Sequence, residues 1–336
     1  MATIFNAEKR LMNQGEMIRF EFISGASYRQ TITGGFTPLK PIQLIPDKEI
    51  GMKNQGADRW KIMIPVLLLV LLLGGCATMK KDTAEQAGMY STQDLNEQLV
   101  MATLWMQSSA EFKALSYQAF NVAAMNLDSF LNGYTGSKPV AVIVDADETV
   151  IDNSAYEAWL IGQDFGYSSK TWAPWMEAAE ARAMPGAKEF LNYAAAKGVE
   201  IFYVTNRKMV GYDGTKKNLM ELGFPNVDEK HLLLRTDSSD KQARRDIVAK
   251  DYEIALLMGD NLNDFTSDFA KKTVEQRFLE TDKIKDQWGT KFIVLPNPTY
   301  GEWEGAVYDG NWGASAAEKD EMRKSFLRKW DYQVPE

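Results

Sequence analysis

Residues 142–154, with the sequence VIVDADETVIDNS, constrain this chain more than any other segment. An apolar run ends in two aspartates one residue apart, Asp145 and Asp147, and Glu148 follows directly. Alternation along an extended strand would direct both aspartates to the same side. At an effective dielectric of about 20, two unit charges ~4 Å apart repel by roughly 4 kcal/mol. The pair therefore indicates either a bound cation or one protonated carboxyl group.

From Pro139 onward, short apolar runs alternate with helical patterns. The predicted strands are PVAVIVDAD, VEIFYVTNR, HLLLRTD, EIALLMGDN and KFIVLPN, and the predicted helices are GAKEFLNYAAAKG, GTKKNLMELG and DKQARRDIVAK. Strands separated by helices indicate parallel βαβ units. In such sheets ligands bind outside the carboxyl ends of the strands. We therefore expect an α/β domain with its site at that edge of the sheet.

Polar residues stand at the predicted strand ends. They are Asp145 and Asp147 after the first strand, Thr205, Asn206 and Arg207 at the second, Asp260 and Asp264 after the fourth, and Lys241 at the start of the helix that follows the third. Their recurrence at the carboxyl ends predicts one shared site.

Each of these residue types suits phosphoryl transfer. Asp145 can attack phosphorus as a carboxylate nucleophile, and Asp147 can protonate the leaving oxygen. Thr205 offers a hydroxyl to phosphoryl oxygens. Asp260 offers a hard oxygen ligand for Mg²⁺, and Lys241 adds a further positive charge.

Composition excludes several other function classes. The formal charge of −8 and the pI near 5.0 argue against a nucleic-acid-binding surface, so nucleic acid is not an expected partner. Cys76 is the single cysteine and His231 the single histidine of the sequence. A Cys/His zinc site, a Cys-x5-Arg phosphate loop and a phosphohistidine mechanism with a second histidine are thereby excluded. His231 is expected to be the polar start of a buried strand.

The ordered motifs resemble those of the haloacid dehalogenase (HAD) superfamily of phosphohydrolases. Asp-x-Asp-x-Thr at 145–149, Thr205, Lys241 and Gly-Asp-x-x-x-Asp at 259–264 match its four motifs in sequence order. VDADETVIDNSAY and LLMGDNLNDF further resemble the paired signatures of the class C bacterial acid phosphatases, as do YVTNRK, MPGAKEF and LPNPTYGEWEG. Ala146 and Asn263 are small departures from the family pattern.

The resemblance implies a Rossmann-like HAD core with a parallel sheet and a small α-helical cap. The cap would be assembled from the amino-terminal helices, the segment after Asp152 and the carboxyl end. Mg²⁺ would be held by Asp145, Asp260, Asp264 and the backbone carbonyl of Asp147. The remaining expected site residues are Thr205, Asn206 and Lys241 for phosphate, and Tyr300 and Trp303 for a stacked base.

The implied activity is Mg²⁺-dependent hydrolysis of phosphomonoesters, nucleoside 5'-monophosphates and nicotinamide mononucleotide among them, through an aspartyl-phosphate. Two alternatives stay open: a phosphotransferase with the same covalent step, and a non-catalytic surface lipoprotein that binds nucleotides or a host ligand. The intact motif residues argue against the second alternative. The oligomeric state is open, with a homodimer as one possibility.

The amino-terminal third carries the pattern of a lipoprotein signal. Basic residues precede an apolar run at 62–73, and LGGC resembles a lipobox ending at Cys76. We expect a signal peptide at 52–75, a lipid anchor on Cys76, a tether at 76–92 and the phosphatase domain at 93–336. Residues 1–51 are interpreted as an upstream extension from a misassigned start, or else as a cytoplasmic segment. Ala77, where an aspartate would retain a lipoprotein at the inner membrane, favours the outer membrane.

The domain is expected to begin with helices. Apolar residues between 93 and 131 recur at spacings of three and four, which is typical of amphipathic helices. The segment SSAE resembles a capping box that runs from Ser108 to Glu111 and would start a second helix.

Overall fold

The computed structural model describes residues 90–333 and, nearer the amino terminus, two short strands. These strands, β1 (Met12–Asn13) and β2 (Glu16–Met17), pair antiparallel. The predicted signal segment and Cys76 lie outside the described residues. Among the helices that are described, none combines the length and the apolar character that a membrane crossing requires.

Five parallel strands form the central sheet. In chain order the strands after β2 are β3 (Val140–Val144), β4 (Ile151–Asp152), β5 (Arg182–Ala183), β6 (Glu200–Lys208), β7 (Leu232–Arg235), β8 (Glu253–Gly259) and β9 (Phe292–Val294). The sheet order is β7-β6-β3-β8-β9, and β4 pairs antiparallel with β5 beside it. The predicted parallel α/β core, with its five strands, is confirmed.

The helices precede the sheet, connect its strands and follow it. They are α1 (Thr92–Glu97), α2 (Leu99–Ser108), α3 (Ala110–Gly133), α4 (Ser154–Leu160), α5 (Ser169–Ala178), α6 (Ala187–Ala196), α7 (Tyr212–Glu221), α8 (Gln242–Asp251), α9 (Val274–Lys283), α10 (Glu302–Val307) and α11 (Ala316–Ser325). Helices α6, α7 and α8 correspond to the three predicted connecting helices.

The central strand β3 is buried on both faces of the sheet. Val142 and Val144 point into the larger core, which also holds Phe120 of α3 and Phe190 of α6. The alternate residues Ala141 and Ile143 point into a smaller core that includes Val248 of α8. Burial on both faces explains why β3 reads as a continuous apolar run rather than an alternating one.

The junction of α2 and α3 lies one residue beyond the predicted cap. Ser109 is the N-cap of α3, and its hydroxyl accepts from the Phe112 amide at 3.0 Å. Ser108 instead ends α2, so the predicted capping box from Ser108 to Glu111 is wrong. Extended backbone at Ser109 separates the two helices, and α2 continues one residue further than the motif suggested.

Further helices surround the sheet. Helix α2 packs against α4, and α5 packs against α7. The carboxyl-terminal α11 packs on α1, where Arg323 Nη1 donates to Gln98 Oε1 at 2.8 Å and Gln98 Nε2 donates to Asp320 Oδ1 at 2.6 Å. The first and last helices of the described domain are therefore joined directly, as the resemblance implied for the cap.

His231 lies just before β7, as predicted, and is buried. Its ring is held between two carboxylates: Nδ1 lies 2.7 Å from Asp228 Oδ1, and Nε2 lies 2.6 Å from Glu200 Oε2. Glu200 begins β6, so this network lies at the amino end of the strands. The opposite edge carries the polar residues singled out by the sequence.

Candidate active site

The order of the strands creates a crevice beside β3. The chain proceeds from β3 to β6 and β7 on one side, then returns to add β8 and β9 on the other. The direction of winding therefore reverses between β3 and β8, the place where open α/β sheets bind ligands. Asp145 follows β3 and Asp260 follows β8.

Asp145 directly follows β3, and its amide still donates to the Met258 carbonyl of β8 at 2.9 Å, whereas Asp147 lies just before a turn at 148–150. The carbonyl of Ala146 accepts from the amides of Val150 and Ile151, both at 3.0 Å. That both aspartates point to the same side of the strand stays a prediction. They contact different cations.

Three carboxylates converge at the crevice. One oxygen from each of Asp145, Asp260 and Asp264 lies within 4.8 Å of the others. Gly259 permits this approach, because a Cβ there would lie 2.4 Å from Asp264 Oδ2. The Asn261 amide donates to the same Oδ2 at 3.0 Å and so holds Asp264 toward the cluster.

Lys241 supplies the positive charge of this cluster. Its buried ammonium lies 2.5 Å from Asp145 Oδ1 and 2.7 Å from Asp264 Oδ1. Burial lowers the pKa of Lys241, but the charges of Asp145 and Asp264 outweigh burial and leave the pKa above its usual value. Lys241 is therefore held as an ammonium, and it links the first motif to the fourth.

Negative charge still exceeds positive charge in the cluster. Burial raises the pKa of Asp145 to about 7, with Lys241 opposing the rise and Asp264 and Asp147 adding to it. Burial, together with the charges of Asp264 and Asp145, also raises the pKa of Asp260 well above its ordinary value. Three carboxylates, two of them buried and Asp260 half-buried, against one ammonium leave room for a cation.

The donor set fits a hard divalent cation. Carboxylate oxygens are the ligands that Mg²⁺ and Ca²⁺ prefer, and Mg²⁺ is commonly held by only one or two protein carboxylates. Asp260 differs from the other two in its partners. Thr149 Oγ1 donates to it at 3.4 Å and Asn297 Nδ2 at 2.8 Å, but among the described residues no positively charged side chain contacts it. Asp145, Asp260 and Asp264 are the residues that would hold a metal.

Asp147 is held by Arg207. Arg207 Nε donates to Asp147 Oδ1 at 2.9 Å, and Nη2 lies 2.8 Å from the same oxygen. Asn153 Nδ2 adds a third bond to Oδ1 at 2.8 Å, and Trp175 Nε1 fixes Asn153 through its Oδ1 at 2.9 Å. Within residues 90–333, no group donates a hydrogen bond to Asp147 Oδ2. That oxygen is available for proton transfer.

Thr205 and Asn206 lie on β6, beside β3. Thr205 is buried and its hydroxyl accepts from the Arg207 amide at 3.1 Å. Asn206 is exposed, and its Oδ1 accepts from Arg244 Nη2 at 2.7 Å. The structure thus brings both predicted phosphate-binding residues to the same edge of the sheet as Asp145.

Tyr300 and Trp303 differ in their surroundings. The Tyr300 hydroxyl donates to the buried Glu148, so this ring is anchored next to the Asp145 turn. Trp303 is 46% exposed, and its Nε1 donates to the Tyr300 carbonyl at 3.1 Å. Tyr300 therefore lies at the site, whereas the Trp303 ring stands at the surface beside it.

Sequence reasoning assigned no role to several residues that complete the site. They are Asn153, Arg207, Arg244 and Asn297. Arg244 follows Lys241 by three residues and so shares its face of the helix start, which is a usable signal. Asn297 follows the edge strand β9 and carries no motif that would have pointed to it.

Known proteins share these features. Residues 71–303 match the family described as HAD superfamily, subfamily IIIB (acid phosphatase). A class C acid phosphatase from Bacillus anthracis is similar in structure, with 43% sequence identity and a TM-score of 0.68 over 70% of this chain and 99% of that one. A structure of the Bacillus anthracis enzyme with tungstate bound gives the same values.

Proposed function

Because the chain belongs to the HAD superfamily subfamily IIIB acid phosphatases, which hydrolyse phosphomonoesters, we propose that it acts on nucleoside 5'-monophosphates and nicotinamide mononucleotide with Mg²⁺. The observation that carries this proposal is the buried cluster of Asp145, Asp260 and Asp264 with Lys241. The cluster combines the proposed nucleophile, a candidate metal site and a positive charge at the crevice between β3 and β8.

Phosphate binding begins the reaction. The exposed amide of Asn206 and the ammonium of Lys241 lie at the carboxyl edge and would contact phosphoryl oxygens, as would backbone N–H groups near Thr205. The Bacillus anthracis relative binds tungstate, an oxyanion, which supports an oxyanion site in the same fold. Positioning and charge neutralisation provide most of the catalysis in phosphoryl transfer.

Asp145 is the proposed nucleophile. Lys241 donates to Asp145 Oδ1, and among the described residues no group donates a hydrogen bond to Asp145 Oδ2. A carboxylate oxygen attacks phosphorus, a new O–P bond forms, and the bond from phosphorus to the ester oxygen breaks. The products of this step are an aspartyl-phosphate and an alkoxide, which takes a proton from Asp147.

Water then releases phosphate. Asp147, now a carboxylate, removes a proton from the water that attacks the aspartyl-phosphate, and Asp145 is regenerated. Arg207 and Asn153 hold Asp147 through Oδ1 alone in the structure, so the same Oδ2 can serve both proton transfers. A metal held by Asp145, Asp260 and Asp264 would neutralise the charge that these carboxylates and the phosphate accumulate.

Aromatic side chains beside the proton donor support a nucleotide substrate. The Trp172 ring lies 5.4 Å from the guanidinium of Arg207, which contacts Asp147. Tyr300 contacts Glu148, the residue after Asp147. Aromatic faces next to a phosphate site would stack a nucleobase or a nicotinamide ring.

A substrate panel tests this proposal. Nucleoside 5'-monophosphates, nicotinamide mononucleotide, sugar phosphates and p-nitrophenyl phosphate would be compared with and without Mg²⁺ after chelation. The proposal requires higher kcat/KM for the two nucleotide classes than for sugar phosphates, and loss of activity without metal. Equal activity after exhaustive chelation would refute the metal requirement.

Phosphotransfer is the second candidate, because it shares the aspartyl-phosphate step. Adding a primary alcohol at increasing concentration would separate the two. Hydrolysis predicts equal release of phosphate and alcohol product, whereas phosphotransfer predicts a deficit of inorganic phosphate and formation of a new ester.

We further propose that Cys76 carries a lipid and anchors the enzyme at the cell envelope, at the outer membrane. The support is the apolar run at 62–73 followed by LGGC, which has the order of a lipoprotein signal. Treatment with a lipoprotein signal peptidase inhibitor should leave an uncut precursor.

A further inference from the structure

Three basic residues at the start of helix α8 contact the site. Lys241, at the N-cap, contacts Asp145 and Asp264. Arg245 Nη1 donates to the Asp264 carbonyl at 2.9 Å. Arg244 contacts the end of β6. Lys241 and Arg245 contact the acidic cluster, and of the three only Arg244 contacts Thr205 and Asn206.

The guanidinium of Arg244 is buried and makes four hydrogen bonds. Nη1 donates to the Thr205 carbonyl, and Nη2 donates to Asn206 Oδ1 at 2.7 Å. Nη2 also reaches the carbonyls of Ser238 at 3.4 Å and Asp240 at 3.3 Å. The side chain therefore fixes the end of β6 against the loop that precedes α8.

An arginine guanidinium can only donate hydrogen bonds, so each atom that it contacts must be an acceptor. An asparagine carboxamide has one face that accepts and one that donates. Because Arg244 occupies Oδ1 of Asn206 with a donor, the opposite Nδ2 group must face away from Arg244. Asn206 itself is exposed at the carboxyl edge, where a phosphate anion needs donors and is repelled by a carbonyl oxygen.

We propose that Arg244 is a positioning residue that orients the carboxamide of Asn206 so that its NH₂ group donates to the phosphoryl group. Arg244 reaches the phosphate through Asn206 and the Thr205 carbonyl, not by direct contact. This inference rests on the phosphate contact proposed for Asn206. It predicts that Arg244 and Asn206 contribute to phosphate affinity as one unit.

A double-mutant cycle tests this coupling. Arg244→Met, Asn206→Ala and the double variant would be measured with saturating Mg²⁺ for KM toward p-nitrophenyl phosphate, for kcat, and for inhibition by inorganic phosphate. Each single variant should raise KM and the phosphate inhibition constant by about tenfold, with a smaller change in kcat. The double variant should resemble Asn206→Ala, because each substitution removes the same donor.

A matched control variant tests whether the loss of any partly buried arginine gives the same effect. Arg323 is also partly buried and bonds Glu304, Tyr308 and Gln98, none of which is a predicted phosphate-binding residue. Arg323→Met should lower stability without raising the phosphate inhibition constant. If Arg244→Met does not fold, Arg244→Gln, which keeps a polar group in the buried position, takes its place in the cycle.

The outcomes separate the inference from the proposed phosphate site. Multiplicative effects in the double variant would overturn the coupling while leaving the Asn206 contact intact. An unchanged phosphate inhibition constant in Asn206→Ala would refute that contact, and the orienting role of Arg244 with it. An equal rise in the Arg323→Met control would show that general destabilisation explains the data.

Discussion

Removing divalent metal should make the stability of this protein fall as pH rises from 5 to 7. The reason lies at Asp145, which is buried beside Asp264 and Asp147 with only Lys241 in opposition. Its pKa is raised from the ordinary value of 3.8 to about 7. A raised pKa in the folded state means that the protonated form fits the fold better than the carboxylate.

The sign and size of this pH effect on the free energy of unfolding follow from the difference between the pKa values of Asp145 in the folded and unfolded protein. Below pH 3.8 the carboxyl is protonated in both states, and its full contribution to the free energy of unfolding is present. As pH rises through about 7, the folded protein releases the proton and loses that contribution. The difference of roughly three pH units, at 1.36 kcal/mol each, corresponds to about 4 kcal/mol. Between pH 5 and 7 the expected loss is ~2.3 kcal/mol, because about half of the folded molecules still hold the proton at pH 7.

Urea unfolding of EDTA-treated protein at pH 5, 6 and 7 measures this slope, with Asp145→Asn as the matched control. The variant keeps the volume of the side chain and cannot ionise, so its slope should be shallower by ~1.1 kcal/mol per pH unit on average between pH 5 and 7. Added Mg²⁺ should stabilise the wild-type protein more at pH 7 than at pH 5, because the ligands must be ionised to bind it. Identical slopes in the two proteins would refute the charge argument for Asp145.

Three further predictions concern chemistry and processing. Asp145→Asn should lower kcat by at least ~10³-fold while the protein still binds inorganic phosphate; substantial turnover would move the covalent step to another residue. Asp147→Asn should lose most activity on nucleotides, whose leaving alkoxide needs a proton, and much less on aryl phosphates. Equal losses on both ester classes would show that Asp147 is not the general acid. Cys76→Ser should release the protein from membranes or leave an uncut precursor, as fractionation and mass spectrometry would show. Native peptides from residues 1–51 would contradict a start at Met52.

The sequence predicted the strands of the core well, because burial on both faces and intervening helices leave a strong pattern. Residues 140–144 could only be a central strand, and β6 to β9 follow with their helices. The approach of Asp145, Asp260 and Asp264 was equally predictable, since parallel strands end at one edge. These features depend on topology and residue type, and both can be read from the sequence.

The partners of each aspartate could not be read from the sequence. Alternation suggested that Asp145 and Asp147 point to the same side, but it could not show that Lys241 contacts Asp145 while Arg207 contacts Asp147. The contact between Arg207 and Asp147 spans 60 positions along the chain, and that between Lys241 and Asp145 spans 96. Such long-range pairing depends on the relative placement of strands, for which no local pattern exists.

The two aspartates lie close together along the chain but are contacted by different cations, which allows them different roles. Asp145 lies with Lys241 at the candidate metal site, so a bound cation would hold it as a carboxylate ready to attack. Asp147 lies outside that carboxylate cluster and is oriented instead by Arg207 and Asn153 through one oxygen. Metal binding would therefore act mainly on the nucleophile, while the geometry of the proton donor depends on a different cation. Substitution of Lys241 should therefore alter attack on every ester. Substitution of Arg207 should lower activity most on esters whose leaving group needs a proton.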